Sequence, residues 1–229
     1  MRLFLITVLL FLAHIVQAQK FTYGLGYDYL YSREWDAAIQ TYNFSRPYII
    51  NEQPLLIHSP VLDFEWTMKT KAKLQHGLVF NWNWCVSRAT NTNLSVALHY
   101  HFLQPGYFFR YFLSDRNKAY IQSSVGLRAG VLFKRVNGEA YLIDEKRRPA
   151  FGAGAQINLY FGYNIALRAN MIISPYVGAG CSPYYFSPYT EAILNQTAGM
   201  TGNKYTTVIS GQAGIKFYLV RSESGVTKP

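Results

Sequence analysis

The stretch AYIQSSVGLRAGVLF, running from Ala119 to Phe133, decides the fold of this chain. Ala119, Ile121, Val125, Leu127, Ala129, Val131 and Phe133 fall on alternate positions, with Gln122, Ser124, Gly126, Arg128 and Gly130 between them. Successive side chains of a strand leave opposite faces of the pleat, so a period of two describes a strand with one apolar and one polar face. A water-facing sheet usually carries Lys, Glu and Thr on its second face, whereas Gly, Ser, Gln and Asn suit a cramped polar interior. Apolar outside and polar inside is the pattern of a barrel dissolved in lipid.

The same rhythm recurs to give eight strands. Phe21, Tyr23, Leu25, Tyr27, Tyr29 and Tyr31 alternate with Thr22, Gly24, Gly26 and Asp28, and Leu62, Phe64, Trp66 and Met68 alternate with Asp63, Glu65, Thr67 and Lys69. The third strand sets Leu78, Phe80, Trp82, Trp84 and Val86 against Asn81, Asn83 and Cys85. The fourth sets Leu94, Val96, Leu98, Tyr100 and Phe102, read as its apolar face, against Ser95, Ala97, His99 and His101. Pro105-Gly106 follows, and because proline is tolerated in a strand at a bulge or an end, a register break is expected there. After the fifth strand come Phe151 to Tyr163, Met171 to about Phe186, and Tyr205 to Val220. The expected fold is all-β, an antiparallel up-and-down transmembrane β-barrel of eight strands with short periplasmic turns and longer external loops.

The chain begins with Arg2, an apolar run from Leu3 to Val16, and Val16-Gln17-Ala18 before Gln19. That is the form of a secretory leader, and the run is shorter than the roughly 20 residues of a helical span. The expected division is a signal peptide over 1–18, a barrel over 19–220 and a short periplasmic tail over 221–229. Aromatic residues make up 17% of the chain and charged residues 15%, which suits aromatic girdles at two lipid–water boundaries. The formal charge of +10 is scattered along the sequence. With an export signal it points to anionic lipid headgroups or acidic surface sugar rather than nucleic acid. The two cysteines, Cys85 and Cys181, are expected to be unpaired.

Alternation alone does not exclude a water-soluble barrel, because a slip of one residue exchanges the faces. Composition decides between them. A face built from Gly126, Gly130, Gly152, Gly154, Gln156 and Asn158 makes a poor solvated exterior.

The final strand reads Gln212-Ala213-Gly214-Ile215-Lys216-Phe217-Tyr218-Leu219. It resembles the assembly signal of bacterial outer-membrane barrels, in which a polar residue, a glycine two later and two alternate hydrophobic residues close the barrel sequence. By that resemblance Gln212, Gly214, Phe217 and Leu219 carry the signal, and the barrel-assembly machinery is the partner during insertion. With the leader and the strand rhythm, the chain is similar to the small eight-stranded, porin-like outer-membrane barrel proteins of Gram-negative bacteria. The Gln after the leader resembles exported barrels of the Bacteroidota.

An eight-stranded barrel is filled by its own side chains. The lumen residues are expected to include Asn81, Asn83, His99, Gln122 and Gln156, with a polar network of Asp63, Glu65, Arg128 and Lys216 in which acids pair with bases. Trp35, Tyr42, Phe44, Arg46 and Tyr48 in the first external loop, with Tyr185 and Tyr189 near the last, are candidates either to bind a partner or to cover the barrel mouth. No catalytic, cofactor or metal motif stands out. The expected role is a non-enzymatic outer-membrane barrel, structural or binding, with lipid, lipopolysaccharide and an envelope protein as partners. The alternatives are a lipid-modifying enzyme using His99 or His101, and a small transport channel.

Overall fold

The structure is a computed structural model that describes residues 20–44, 50–52, 54–55, 57–68, 73–92, 95–114, 116, 118–136, 139–141, 150–168, 171–186 and 205–219. The leader over 1–18, the tail over 221–229 and the loop residues Arg46, Tyr48 and Tyr189 lie outside the described residues.

Eight long strands form a closed antiparallel ring in chain order. They are β1 (Lys20–Tyr31), β2 (His58–Thr67), β3 (Leu74–Thr90), β4 (Ser95–Phe112), β5 (Ala119–Val136), β7 (Ala150–Tyr163), β9 (Met171–Tyr185) and β10 (Tyr205–Leu219). Two short strands extend the hairpins, β6 (Glu139–Tyr141) along β5 and β8 (Ile165–Arg168) along β9. β10 pairs with both β9 and β1, which closes the sheet on itself. One helix, α1 (Arg33–Phe44), follows β1.

The register fixes the size of the lumen. Paired residues lead from Lys20 through Thr67, Gly77, Phe108, Ser124, Asn158, Gly180 and Ser210 back to Leu30, ten residues along β1. That stagger over eight strands, at the usual rise and spacing, sets a tilt of about 40° and a backbone radius of about 8 Å. Such a cylinder has room for inward side chains and little else.

Tyrosine, phenylalanine, leucine, isoleucine and valine point outward around the circumference, among them Leu25, Tyr29, Leu127, Phe151, Ile157, Val177 and Ile209. Leu127, at the middle of β5, is 64% exposed. This exterior has the chemistry of a surface solvated by acyl chains. Among the described residues no helix is long and apolar enough to cross a membrane.

The structure corrects the reading of β4 in two respects. The strand runs unbroken through Pro105-Gly106, and its pairing with β5 keeps one register on both sides, from Leu103↔Ala129 to Gly106↔Gly126. Pro105 points outward, and the β4–β5 pairing lapses only at Gln104 and Pro105 before it resumes in the same register. Gly126 makes this possible, because a Cβ there would lie 2.3 Å from the Pro105 carbonyl oxygen and 2.6 Å from the Gly106 Cα. With no register break, β4 keeps one phase throughout. Val96, Leu98, Tyr100 and Phe102 therefore face the lumen, and His99 and His101 face outward.

Because both atoms that meet a Cβ at Gly126 are backbone, Gly126→Val is expected to lower stability by roughly 1–3 kcal/mol. Gly211→Ala, where nothing lies within 4 Å, is expected to leave it nearly unchanged. Urea titration of the folded protein in lipid vesicles checks both.

Candidate functional site in the lumen and at its mouth

Among the described residues six charged side chains are buried in the lumen, three acids (Asp28, Asp63, Glu65) and three bases (Arg110, Arg128, Lys216). Burying an ion is tolerable only when it is paired and its remaining polar atoms are bonded. Glu65 is the centre of the arrangement. One of its oxygens accepts from Lys216 Nζ at 2.5 Å and Gln122 Nε2 at 2.6 Å, and the other accepts from Arg110 Nη2 at 2.5 Å. Lys216 also lies 3.2 Å from Asp63. Gln122 accepts from Arg110 Nε at 2.9 Å, which fixes the guanidinium plane.

Aromatic rings shield these cations. The Arg110 guanidinium carbon is 4.6 Å from the centre of Tyr120, and Lys216 Nζ is 4.8 Å from that of Tyr176. Asp28 forms a second group, accepting from Asn83 Nδ2 and, at 3.0 Å, from Gln212 Nε2. Gly24 sits in register between Lys216 and Asp63, and a Cβ there would meet Lys216 Cγ at 3.2 Å and Asp63 Cβ at 3.3 Å. The glycine opens the gap through which that ion pair reaches across β1.

Of the expected network, Asp63, Glu65 and Lys216 come together, while Arg128 lies elsewhere, its guanidinium carbon 4.6 Å from the centre of the Phe102 ring. The base on Glu65 from the β4–β5 side is Arg110, absent from the expected set. It lies in the run from Tyr107 to Leu113, where aromatics occupy both faces and the phase could be read only by carrying the strand through Pro105. Asn81, Asn83, Gln122 and Gln156 are buried in the lumen. His99 is not, because the upper lumen at β4 is apolar.

That apolar upper lumen is the seat of α1. Ser32 caps the helix, its Oγ accepting from Trp35 N at 3.3 Å. Glu34 and Asp36 lie in the first turn, where the helix dipole favours negative charge. Trp35, Ala38, Ile39 and Tyr42 form one buried stripe. The Trp35 ring stacks on Phe102 at 5.5 Å and meets Tyr184 edge-on at 5.7 Å. Asn51 N bonds Thr90 O at 3.0 Å and Ser87 Oγ bonds Pro54 O at 2.5 Å, so the segment returning to β2 lines the same mouth.

Between binding a partner and covering the mouth, the structure therefore assigns Trp35 and Tyr42 to the cover. Phe44, at the end of α1, is 88% exposed. Tyr185 is on the outer face of β9 against Tyr205, with ring centres 5.4 Å apart. On β10, Gln212 points into the lumen and Phe217 stacks on Tyr23 at 5.3 Å; Gly214 and Leu219 pair in the ladder with Gly26 and Met171.

The histidines offer little chemistry. His101 stacks on Trp82, whose Nε1 donates to it at 3.4 Å, and it meets Phe133 edge-on. Among the described residues no carboxylate is bonded to His99 or His101, and no cluster of His, Cys, Asp and Glu suited to a metal occurs. His58 contacts Tyr27 on the outer face, while its neighbour Ser59 is buried with Oγ donating to Trp84 O at 3.3 Å. They cannot act together. Cys85 is buried and Cys181 exposed, both as free thiols.

Fold and lumen together define an eight-stranded barrel with a packed, charge-matched interior and a helical cover. No family model and no curated protein matches the chain. Among solved structures it is similar to Ail, the attachment invasion locus protein of Yersinia pestis, solved in complex with the heparin analogue sucrose octasulfate. That match has 7% identity and a TM-score of 0.39, covering 87% of this chain and 97% of that one. Neisserial surface protein A matches at 9% identity and a TM-score of 0.39, covering 87% and 96%. The outer membrane protein OprG from Pseudomonas aeruginosa matches at 10% and 0.38, covering 89% and 97%. At these levels the likeness carries no inference about role.

Removing one partner of a buried ion pair leaves its companion uncompensated. Lys216→Met is therefore expected to destabilise the barrel by about 3–5 kcal/mol, and adding Asp63→Asn is expected to recover part of the loss. Urea unfolding of the single and double variants checks this.

Proposed function

We propose that the protein is an integral outer-membrane barrel that performs no chemistry of its own and serves as a scaffold, presenting its loop end to an envelope partner. The observation that carries this reading is the outer surface. Along the outward positions of all eight barrel strands, charged Asp, Glu, Lys or Arg side chains occur at Arg88 and Arg135 alone among the described residues. A cylinder so clad has no stable place in water and a natural one in hydrocarbon.

A passive role is supported by the interior. Among the described residues its buried acids and bases are equal in number, and Glu65, the acid at their centre, is held by three donors. The same packing, with α1 over the mouth, argues against a conducting pore.

Leu127→Arg and Ile157→Arg, at the middles of β5 and β7, are each expected to cost about 2–4 kcal/mol in phosphatidylcholine vesicles. On a water-exposed surface the same changes would fall within about 0.5 kcal/mol. A mature chain that is monomeric and folded in buffer without detergent overturns the membrane reading. Stepwise currents in a planar bilayer overturn the closed lumen, and recovery from native membranes with no stoichiometric companion overturns the scaffold role.

A further inference from the structure

The two outward charges are not scattered. Arg88 on β3 pairs with Ala97 on β4, and Ala97 pairs with Arg135 on β5, so both arginines occupy one row of the sheet with a single small residue between them. Both arginines are exposed, and Ala97 between them is 4% exposed. Cross-strand neighbours stand about 5 Å apart, so guanidinium groups about 10 Å apart at their roots reach one anion placed over Ala97. Among the described residues neither arginine has an acidic partner.

The rows below are graded. The next contains Val86, His99 and Phe133, and the one after it Trp84, His101 and Val131, with Trp82 stacked on His101. His99 lies within electrostatic reach of both arginines. Each step of two residues lowers the row by about 5 Å along the barrel axis at this tilt. Going down, the surface thus passes from a cationic row, through imidazole and indole, to purely apolar side chains, in the order of a lipid's phosphate, glycerol or sugar and acyl region. On the opposite side, the outward positions of β1, β9 and β10 near the loop end carry Tyr29, Tyr31, Tyr185 and Tyr205.

We infer that Arg88, Arg135 and His99 form a binding site for the phosphate group of a membrane lipid, whose acyl chains lie against β3–β5. This rests on the membrane reading above and adds a fixed lipid to one side of the barrel. Arginine suits the task because its planar fork bonds two phosphate oxygens at once. The side-chain geometry alone would also accept free phosphate. The graded rows select the lipid.

The test is native mass spectrometry of the mature protein in detergent with phosphatidic acid, with diacylglycerol, or with inorganic phosphate. The wild type is expected to retain phosphatidic acid and neither of the other two. Arg88→Gln with Arg135→Gln is expected to weaken retention about 25-fold, at roughly fivefold per interfacial cation, whereas Arg88→Lys with Arg135→Lys, which keeps the charges but not the fork, is expected to weaken it by less. Equal retention of diacylglycerol, retention of inorganic phosphate alone, or undiminished binding by the glutamine variant overturns the site. The wild-type comparison stands even where a variant fails to fold. Failure of the membrane reading is distinguished by a protein that stays monomeric without detergent, while failure of the lipid site alone leaves detergent dependence intact.

Discussion

A single carboxylate gathers four strands. Glu65 on β2 holds Arg110 from β4, Gln122 from β5 and Lys216 from β10, and Lys216 returns to Asp63 beside it. The contacts are short because a barrel of this stagger has no spare width, and they are strong because water is excluded. The apolar exterior cannot hold the sheet together by burial against itself, since in lipid both the open and the closed sheet are surrounded by hydrocarbon. Closure therefore depends on the backbone ladders and on this interior lattice. Among the described residues the buried acids and bases are equal in number, which is what makes such an interior tolerable.

The ring size and spacing impose a second constraint. Large aromatics project into the lumen from β4, β5, β7, β9 and β10, and each needs a small neighbour. Gly24 gives Lys216 its passage, and at Gly152 and Gly178 a Cβ would strike the rings of Tyr184 and Tyr160. The small residues of the inner face are thus the complement of the large ones.

The strand count, their order and most of the inner face were legible in the sequence, because a period of two survives wherever one face is apolar and the other polar. Legibility failed where that contrast failed. On β4 both faces are aromatic, and a proline invited a break that the ladder does not make, so Arg110 was missed and His99 was placed on the wrong side. The lumen was also read as polar throughout, whereas its upper part is apolar to receive Trp35. A signal for α1 is present in the sequence. Ser32 precedes Glu34 and Asp36, and Trp35, Ala38, Ile39 and Tyr42 keep helical spacing. The connecting segment was read as a loop because strands on both sides set the expectation.

The first and last strands meet along a seam, and that seam is held at both ends. Near the loop end, Ser32 Oγ lies 2.7 Å from Thr206 Oγ1, which also bonds Glu34, so the turn after β1 grips β10. Deeper in, Lys216 on β10 reaches past β1 to β2. A zipper clasped at top and bottom offers no free edge to a foreign strand. At this seam, any company the molecule keeps in the bilayer must therefore be recruited by side chains and surface segments, because no strand edge stands open there to be prolonged.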